Sequence, residues 1–245
     1  MDLEYDGTPY AGWQIQPDTL TVQGEVERAL EHFLGHAVRV SNAGRTDSGV
    51  HARQQVVSFV TDEERRPNQM REGLNTLLSD AIAVRAAAVV PDSFHPRRTP
   101  HVKMYRYRIL TSASRSPLRH LRCWHVDRPL KVSSMAMAAQ TLVGTHDYSS
   151  FRASSCTAPH AVRSIEALEV SQVGDEVHVE VQGKGFLQHM VRIFVGSLID
   201  VGVERKKASW MEEVLAARDR RFAGRTAPAH GLELVSISYL DKSTP

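Results

Sequence analysis

Apolar residues that recur every three or four positions predict several helices. The pattern after Thr21 predicts an amphipathic helix that ends at Gly35, with the hydroxyl of Thr21 at its start. Ser209 and Glu212 form a capping-box pattern for a last helix, and a serine is expected to cap a helix that ends at Gly144. The spacing predicts helices over 22–33, 67–78, 133–144 and 187–202. The last of these is apolar over most of its surface, so we expect it to be buried.

Alternating and β-branched residues predict strands between these helices, over 54–60, 81–90, 101–110, 176–182 and 233–240. Residues 101–110 carry charged side chains on both faces, so we expect that strand to be incompletely buried. Helices and strands alternate on both sides of the Pro-rich stretch 91–100. The sequence therefore predicts an α+β protein of two halves, 1–98 and 99–245.

Charge is unevenly distributed along the chain. The formal net charge is only +2, yet residues 93–126 hold eight lysines and arginines and no aspartate or glutamate. A local excess of positive charge favours a polyanionic partner such as a nucleic acid. The alternative is that acidic segments such as 61–64 fold back and neutralise it.

Several classes of protein are excluded by what the sequence lacks. No apolar stretch reaches membrane-spanning length, and residues 1–10 have neither a basic start nor an apolar signal core, so the expected location is the cytoplasm, without membrane association. Cys123 and Cys156 are far apart, and the 12 histidines show no ligand spacing, so we expect no metal. The motifs of P-loop, dinucleotide-binding, zinc-protease and serine-hydrolase sites do not occur.

Residues 42–59, NAGRTDSGVHARQQVVSF, contain the clearest candidate for chemistry. Arg45, Thr46 and Asp47 lie between Gly44 and Gly49, so the carboxylate is expected on a turn next to a cation that keeps it ionised. An aspartate in such a turn is either a nucleophile or a structural group, as half of an ion pair or as a cap of the turn. The D-S-G sequence also occurs in aspartic proteases, but these need two such carboxylates and the chain has one such loop.

The same loop, together with other segments in matching order, resembles the TruA-type tRNA pseudouridine synthases. That family carries the pattern GRTDxGVHA followed by a strand, as here in AGRTDSGVHARQQVVSF. Nearly the whole chain takes part in the resemblance. Further segments that match are YDGTPYAGWQIQ (5–16), DSFHPR (92–97), YRYRI (105–109), THDYSSF (145–151), FLQHMVRIFVGSL (186–198) and GLELVSISY (231–239).

The resemblance implies the pseudouridine synthase fold, with two similar halves, largely antiparallel sheets flanked by helices, and an active-site cleft between the halves. It implies that uridine at positions 38, 39 or 40 of the tRNA anticodon stem-loop is isomerised to pseudouridine, without a cofactor, by a homodimer. Asp47 matches the nucleophile, Arg45 an arginine that helps to displace the target nucleotide, and Tyr105 the aromatic residue that stacks on the flipped base.

Other residues are candidates with open alternatives. Arg192 lies on the apolar helix and needs a carboxylate partner, either Asp47 or a group such as Asp200. Tyr105 has the alternative of being a packed strand tyrosine, and the whole chain that of a catalytically silent RNA-binding protein of the same fold. The candidates for phosphate contacts are Arg97, Arg98, Lys103 and Arg106.

Overall fold

A computed structural model describes residues 1–240 of the chain. In chain order its strands are β1 (Asp2–Tyr5), β2 (Ser41–Asn42), β3 (His51–Ser58), β4 (Ile82–Ala86), β5 (His101–Thr111), β6 (Trp124–Val126), β7 (Gly144–Asp147), β8 (Val162–Val173), β9 (Glu176–Gly183) and β10 (Leu232–Tyr239). Its α-helices are α1 (Val22–Leu34), α2 (Pro67–Asn75), α3 (Val132–Gln140), α4 (Met190–Gly202) and α5 (Trp210–Ala217).

The described residues form two compact units. The first contains residues 1–102 together with 233–240, and the second contains residues 103–232. Strand β10 joins the first unit because Glu233 and Leu234 pair in parallel with His51 and Ala52 of β3. The division into functional halves at residues 98 and 99 stays a prediction.

The first unit is a sheet with two helices. Its strand order is β4, β1, β3, β10, with β1 antiparallel to both β3 and β4, and β2 paired with the end of β3. Thr21 caps α1 by accepting the amide of Gly24 at 3.3 Å. Helix α1 buries Val26 and Leu30, and α2 buries Leu74, so each helix covers apolar surface with one face.

The second unit has the strand order β5, β9, β8, β7, and every neighbouring pair on this path is antiparallel. Strand β6 pairs in parallel with β5. Helix α4 is buried on nearly all sides, as its composition predicts, and its Phe194 packs against Phe151 with ring centroids 4.9 Å apart. The predicted α+β class with largely antiparallel sheets is therefore confirmed.

Several helix boundaries differ from the sequence-based expectations. The hydroxyl of Ser209 caps nothing, because its backbone is already helical (φ −61°, ψ −20°). Helix α3 follows Lys131 without a side-chain cap and ends at Gln140 rather than Gly144. Helix α4 begins at Met190 instead of residue 187, since His189 before it adopts a left-handed conformation (φ 62°). Within residues 1–240, none of the helices is long and apolar enough to cross a membrane.

Candidate active site

The candidate catalytic residues lie on the loop 43–50, which joins β2 to β3 in the first unit. At one end, the amide of Ala43 donates to the carbonyl of Val56 at 3.0 Å. At the other, the amide of Val50 donates to the carbonyl of Asp47 at 3.1 Å and closes a four-residue turn. Gly49, third in that turn, has φ 77°, a value that a type II turn requires and that glycine adopts without strain. The turn that begins at Asp47 therefore explains why residue 49 is a glycine.

Buried polar side chains of β1 and β3 form hydrogen bonds with this loop. Gln55 of β3 is fully buried, and its Nε2 donates to the carbonyl of Gly44 at 2.5 Å. The hydroxyl of Tyr5 in β1 lies 2.8 Å from Oγ1 of Thr46. Burial raises the pKa of Tyr5 to about 12, so its hydroxyl keeps its proton at neutral pH. Both hydrogen bonds are shielded from water, which makes the loop costly to distort.

Residues 7–13 run along the other side of the loop and hold it by backbone contacts. Trp13 N donates to the carbonyl of Thr46 at 3.1 Å, and Oγ of Ser48 donates to the carbonyl of Tyr10 at 3.2 Å. Gly7 N donates to Nδ1 of His51 at 3.1 Å. A Cβ atom at position 7 would lie 2.0 Å from the carbonyl oxygen of Val50, so only glycine fits there.

Exposure differs from residue to residue along the loop. Arg45 is exposed, Thr46 is buried, Asp47 is half-buried and Ser48 is exposed. The carboxylate of Asp47 is thus neither enclosed in the core nor on a mobile tip, and its backbone is held on both sides. A carboxylate positioned in this way is suited to attack an electrophilic carbon such as the anomeric carbon of a sugar.

Tyr105 lies in the middle of β5 in the second unit, opposite Val181 of β9. It is 7% exposed, and its ring meets the ring of Phe186 edge to face at a centroid distance of 5.1 Å. The alternative of a packed strand tyrosine is thus seen directly, and stacking on a base stays a prediction. The contact with Phe186 holds the ring from one side.

Arg192 is anchored by its own unit. Its Nε donates to the carbonyl of Ala227 at 2.8 Å, and the amide of Ala227 donates to the carbonyl of Arg192 at 3.0 Å. This pair of bonds fixes the direction of the guanidinium group, which carries further donors. Asp200, one proposed partner, forms an ion pair with Arg205 at 3.3 Å. The pairing of Arg192 with Asp47 stays a prediction.

The four predicted phosphate-binding residues differ in environment. Arg97 and Arg98 are exposed, as an RNA contact requires. Lys103 is 8% exposed and lies on the same face of β5 as Tyr105. Arg106 forms an ion pair with Glu180 of β9 at 2.6 Å. Contact with phosphate stays a prediction for all four, and the two exposed arginines fit it with the least rearrangement.

The positive charge of the acid-free segment 93–126 is partly neutralised. The neutralising carboxylates are those of residues 175 and 176 rather than those of the expected segment 61–64. Arg108 and Arg119 pair with Glu176 at 2.8 and 3.2 Å, and Arg119 also pairs with Asp175 at 2.6 Å. Burial acts to raise the pKa of Glu176, but the hydrogen bonds from Arg108, His178 and Arg119 outweigh it and lower the pKa to about 2. The positive charge of 93–126 is therefore smaller in the fold than in the sequence.

Sequence reasoning singles out Asp47 and Arg45 but not the residues that hold them. Gln55 lies in a stretch whose pattern is that of an ordinary strand. The signal that could have identified it is that a polar residue occupies a core position of this strand, where its side chain needs a hydrogen-bond partner. Gly7 and Tyr5 lie in the segment YDGTPYAGW, whose glycines indicate close backbone approach. Within residues 1–240, no group of three or more histidine, cysteine, aspartate or glutamate side chains is arranged to hold a metal ion.

Comparison with known proteins identifies the family of the chain. The family model described as tRNA pseudouridine synthase matches residues 3–97 and 138–240, which includes Asp47 and Arg192. A protein of Myxococcus xanthus named tRNA pseudouridine synthase A is 47% identical over 98% of this chain and 91% of its own length. Proteins of the same name from Geotalea daltonii and Brevibacillus brevis are each 44% identical over 97% of both chains.

The family match and these relatives thus define an RNA-modifying isomerase of the pseudouridine synthase class. The chain belongs to the tRNA pseudouridine synthase family. Tyr105, Lys103 and Arg106 lie between the two matched ranges, in a part of the chain that the relatives' alignments nevertheless span.

Proposed function

We propose that the protein isomerises uridine to pseudouridine in the anticodon stem-loop of tRNA, at position 38, 39 or 40, with Asp47 as the nucleophile. The observation that supports this most strongly is the loop 43–50, which presents one half-buried carboxylate beside an exposed arginine on a backbone held from both sides. Relatives at 44–47% identity carry the name of this activity. The alternative of a silent RNA-binding protein gains nothing from these observations.

The proposed reaction balances without a metal or an organic cofactor. A carboxylate oxygen of Asp47 bonds to C1′ of the target ribose while the bond from C1′ to N1 breaks, and N1 of uracil takes the electron pair. The base then rotates, and its C5 bonds to C1′ as the carboxylate leaves. The hydrogen on C5 is lost as a proton and N1 gains one, so substrate and product have the same composition.

Three further residues are proposed to bind the target nucleotide, since its reacting atoms are hidden in a stacked stem. Arg45 helps to displace the nucleotide from the stem. Tyr105 stacks on the extruded base, and Arg192 offers its guanidinium group to the substrate or to Asp47. Arg97, Arg98, Lys103 and Arg106 are proposed to contact phosphates. With tRNA as the substrate, the cytoplasm is the proposed location and a homodimer the proposed assembly, which light scattering of the pure protein would test.

The activity is tested with pure protein and a uridine-containing tRNA transcript tritiated at C5 of uridine, because product formation releases that hydrogen to water. We expect release with the native protein and none with Asp47→Ala or with the isosteric Asp47→Asn, although both still bind tRNA. Asp62→Ala, which removes an exposed carboxylate of the same unit, is the matched control and should keep full activity. Turnover by Asp47→Asn would refute the assigned role.

A further inference from the structure

An open groove of about 420 Å³ lies beside the candidate catalytic loop in the first unit. Its lining includes two arginines and three amide side chains, and carboxylates do not occur among the lining residues. The groove is lined by Gln14, Ile15, Gln23, Arg39, Asn42 and Arg45. We propose that it is a binding subsite for the nucleotide next to the target uridine, with Arg39 and Arg45 holding its phosphate. This inference rests on the proposed function.

The charge of the groove selects an anion. Arg45 is exposed and, within residues 1–240, has no hydrogen bond or ion pair that satisfies its guanidinium group. Arg39 is 72% exposed at its side chain and pairs with Glu27 through Nη1 at 3.1 Å. An arginine has five N–H donors, so the single bond to Glu27 leaves most of them for a ligand. Arg39 and Arg45 carry two positive charges, and Glu27 carries one negative charge. The groove together with Glu27 therefore has a net positive charge, which suits a phosphodiester.

Glu27 positions the wall of the groove rather than lining it. One carboxylate oxygen accepts from Nε2 of Gln23 at 2.8 Å and from the amide of Val40 at 3.0 Å, and the other accepts from Arg39. Gln23 in turn accepts the amide of Ile15 at 3.4 Å. The bond to Glu27 favours one direction of the Arg39 side chain before a ligand arrives, which lowers the entropic cost of binding.

Amide groups in the lining suit a nucleotide better than a bare phosphate ion. Gln14 is exposed, and Nδ2 of Asn42 is a buried donor with no partner within the described part of the chain. A base edge presents acceptors to such donors, and the half-exposed side chain of Ile15 offers an apolar surface for the base. A buried donor without a partner is unfavourable, so turning this amide toward a bound acceptor would relieve it.

The position of the groove ties it to the target nucleotide. Arg45 lines the groove and stands two residues before Asp47, which is at most about 7 Å of extended backbone. A uridine at Asp47 would therefore leave the adjoining phosphate near Arg45. The groove is open to solvent, as the passage of a continuous strand requires.

The test compares Arg39→Gln with Arg85→Gln, which removes the same charge elsewhere in the first unit. Arg85 is a close match, because it is also exposed and also pairs with one glutamate, Glu4, at 3.4 Å. Affinity for a tRNA stem-loop is measured from 50 to 200 mM salt. A protein that lacks one phosphate contact is less sensitive to salt. Between 50 and 200 mM salt, the affinity of the native protein should therefore fall about threefold more than the affinity of Arg39→Gln. Arg39→Lys should keep the native salt dependence, and Arg85→Gln should match the native protein.

A neutral phosphate analogue locates the contact. The native protein should bind a stem-loop with a methylphosphonate at one linkage next to the target uridine more weakly than the unmodified stem-loop. The Arg39→Gln variant, which already lacks the contact, should bind the two stem-loops with nearly the same affinity. Equal losses for the two proteins at both flanking linkages would overturn the subsite, as would a native salt dependence in Arg39→Gln. Inorganic phosphate is added up to roughly 10 mM, which is in the range of weak ion binding. It should not displace the stem-loop if the ligand of the groove is an RNA strand.

Failure of the subsite can be told apart from failure of the proposed function. These binding measurements do not require turnover, so they remain readable if the native protein makes no pseudouridine. An active native protein whose Arg39→Gln variant binds every stem-loop as the native protein does would end the subsite and leave the function standing.

Discussion

The close approach of Gly7 to the catalytic loop makes Gly7→Ala the sharpest test of how Asp47 is positioned. The added Cβ would lie 2.0 Å from the oxygen, 2.5 Å from the carbon and 3.0 Å from the nitrogen of Val50. All three are backbone atoms, so relief requires the chain at Val50 to move by about 1 Å or more. Val50 closes the turn that starts at Asp47, so the carboxylate should move with it.

Two magnitudes follow from that displacement. Forcing one extra methyl group into a packed region costs about 1–3 kcal/mol of the free energy of unfolding. A misplacement of about 1 Å in a reacting group lowers the rate about 100-fold. We therefore expect Gly7→Ala to remain folded at 25 °C, to bind tRNA with native affinity and to release tritium from C5 about 100-fold more slowly at saturating enzyme.

Gly35→Ala provides a matched control. Gly35 ends α1 with φ 78°, and a methyl group added there would have no atom within 4 Å, so alanine brings backbone strain without a clash. That strain costs about 1–2 kcal/mol, similar to the cost expected for Gly7→Ala. A native rate in Gly35→Ala would show that lost stability alone does not slow the reaction. A native rate in Gly7→Ala as well would refute the claim that this contact positions Asp47.

Two further variants probe the second unit. Tyr105→Phe should bind tRNA within about threefold of the native affinity, whereas Tyr105→Ala should bind roughly 5- to 150-fold more weakly, since a stacked base contributes about 1–3 kcal/mol; equal binding by all three proteins would exclude stacking. Because the pKa of Glu176 is lowered to about 2 from 4.5, its stabilisation is complete above about pH 4.5 and is lost as the pH falls through about 2. Urea unfolding should show Glu176→Gln about 1–3 kcal/mol less stable at pH 6, with the difference shrinking toward pH 3; a constant difference would contradict the assigned ion pairs.

The sequence predicts elements well where one periodic pattern dominates. Helix α1 has its cap, its apolar stripe and its terminal glycine in one local stretch, and all three are found in the structure. Strand β8 is not predicted, because many of its side chains are polar and exposed and alternation is weak over its twelve residues. The expected cap at Ser209 is wrong because a hydroxyl caps only if its own backbone is not helical, which the sequence does not determine. The expected serine cap of α3 is wrong because the helix begins at Val132, so its serines lie inside it.

The candidate site divides in the same way. Asp47 and Arg45 are identified from a local motif and a family resemblance, both of which are visible in a few residues. The contacts from Gln55, Tyr5 and Gly7 depend on residues that are close in space but 11 to 43 positions apart in the chain, such as Gly7 and Val50. Likewise, the neutralisation of Arg108 and Arg119 by Glu176 requires the antiparallel pairing of β5 with β9, which fixes long-range register.

Strand β10 has a consequence for the order in which a nascent chain acquires its shape. The first unit needs Glu233 and Leu234 beside β3, the strand that leaves the Asp47 loop, although residues 103–232 are translated in between. At a ribosomal speed of about 5–20 residues per second, roughly 7–26 s pass before that partner emerges. An unfinished polypeptide therefore has the Asp47 loop without its completed sheet, so mature catalytic geometry is expected only after residues 233 and 234 have been translated.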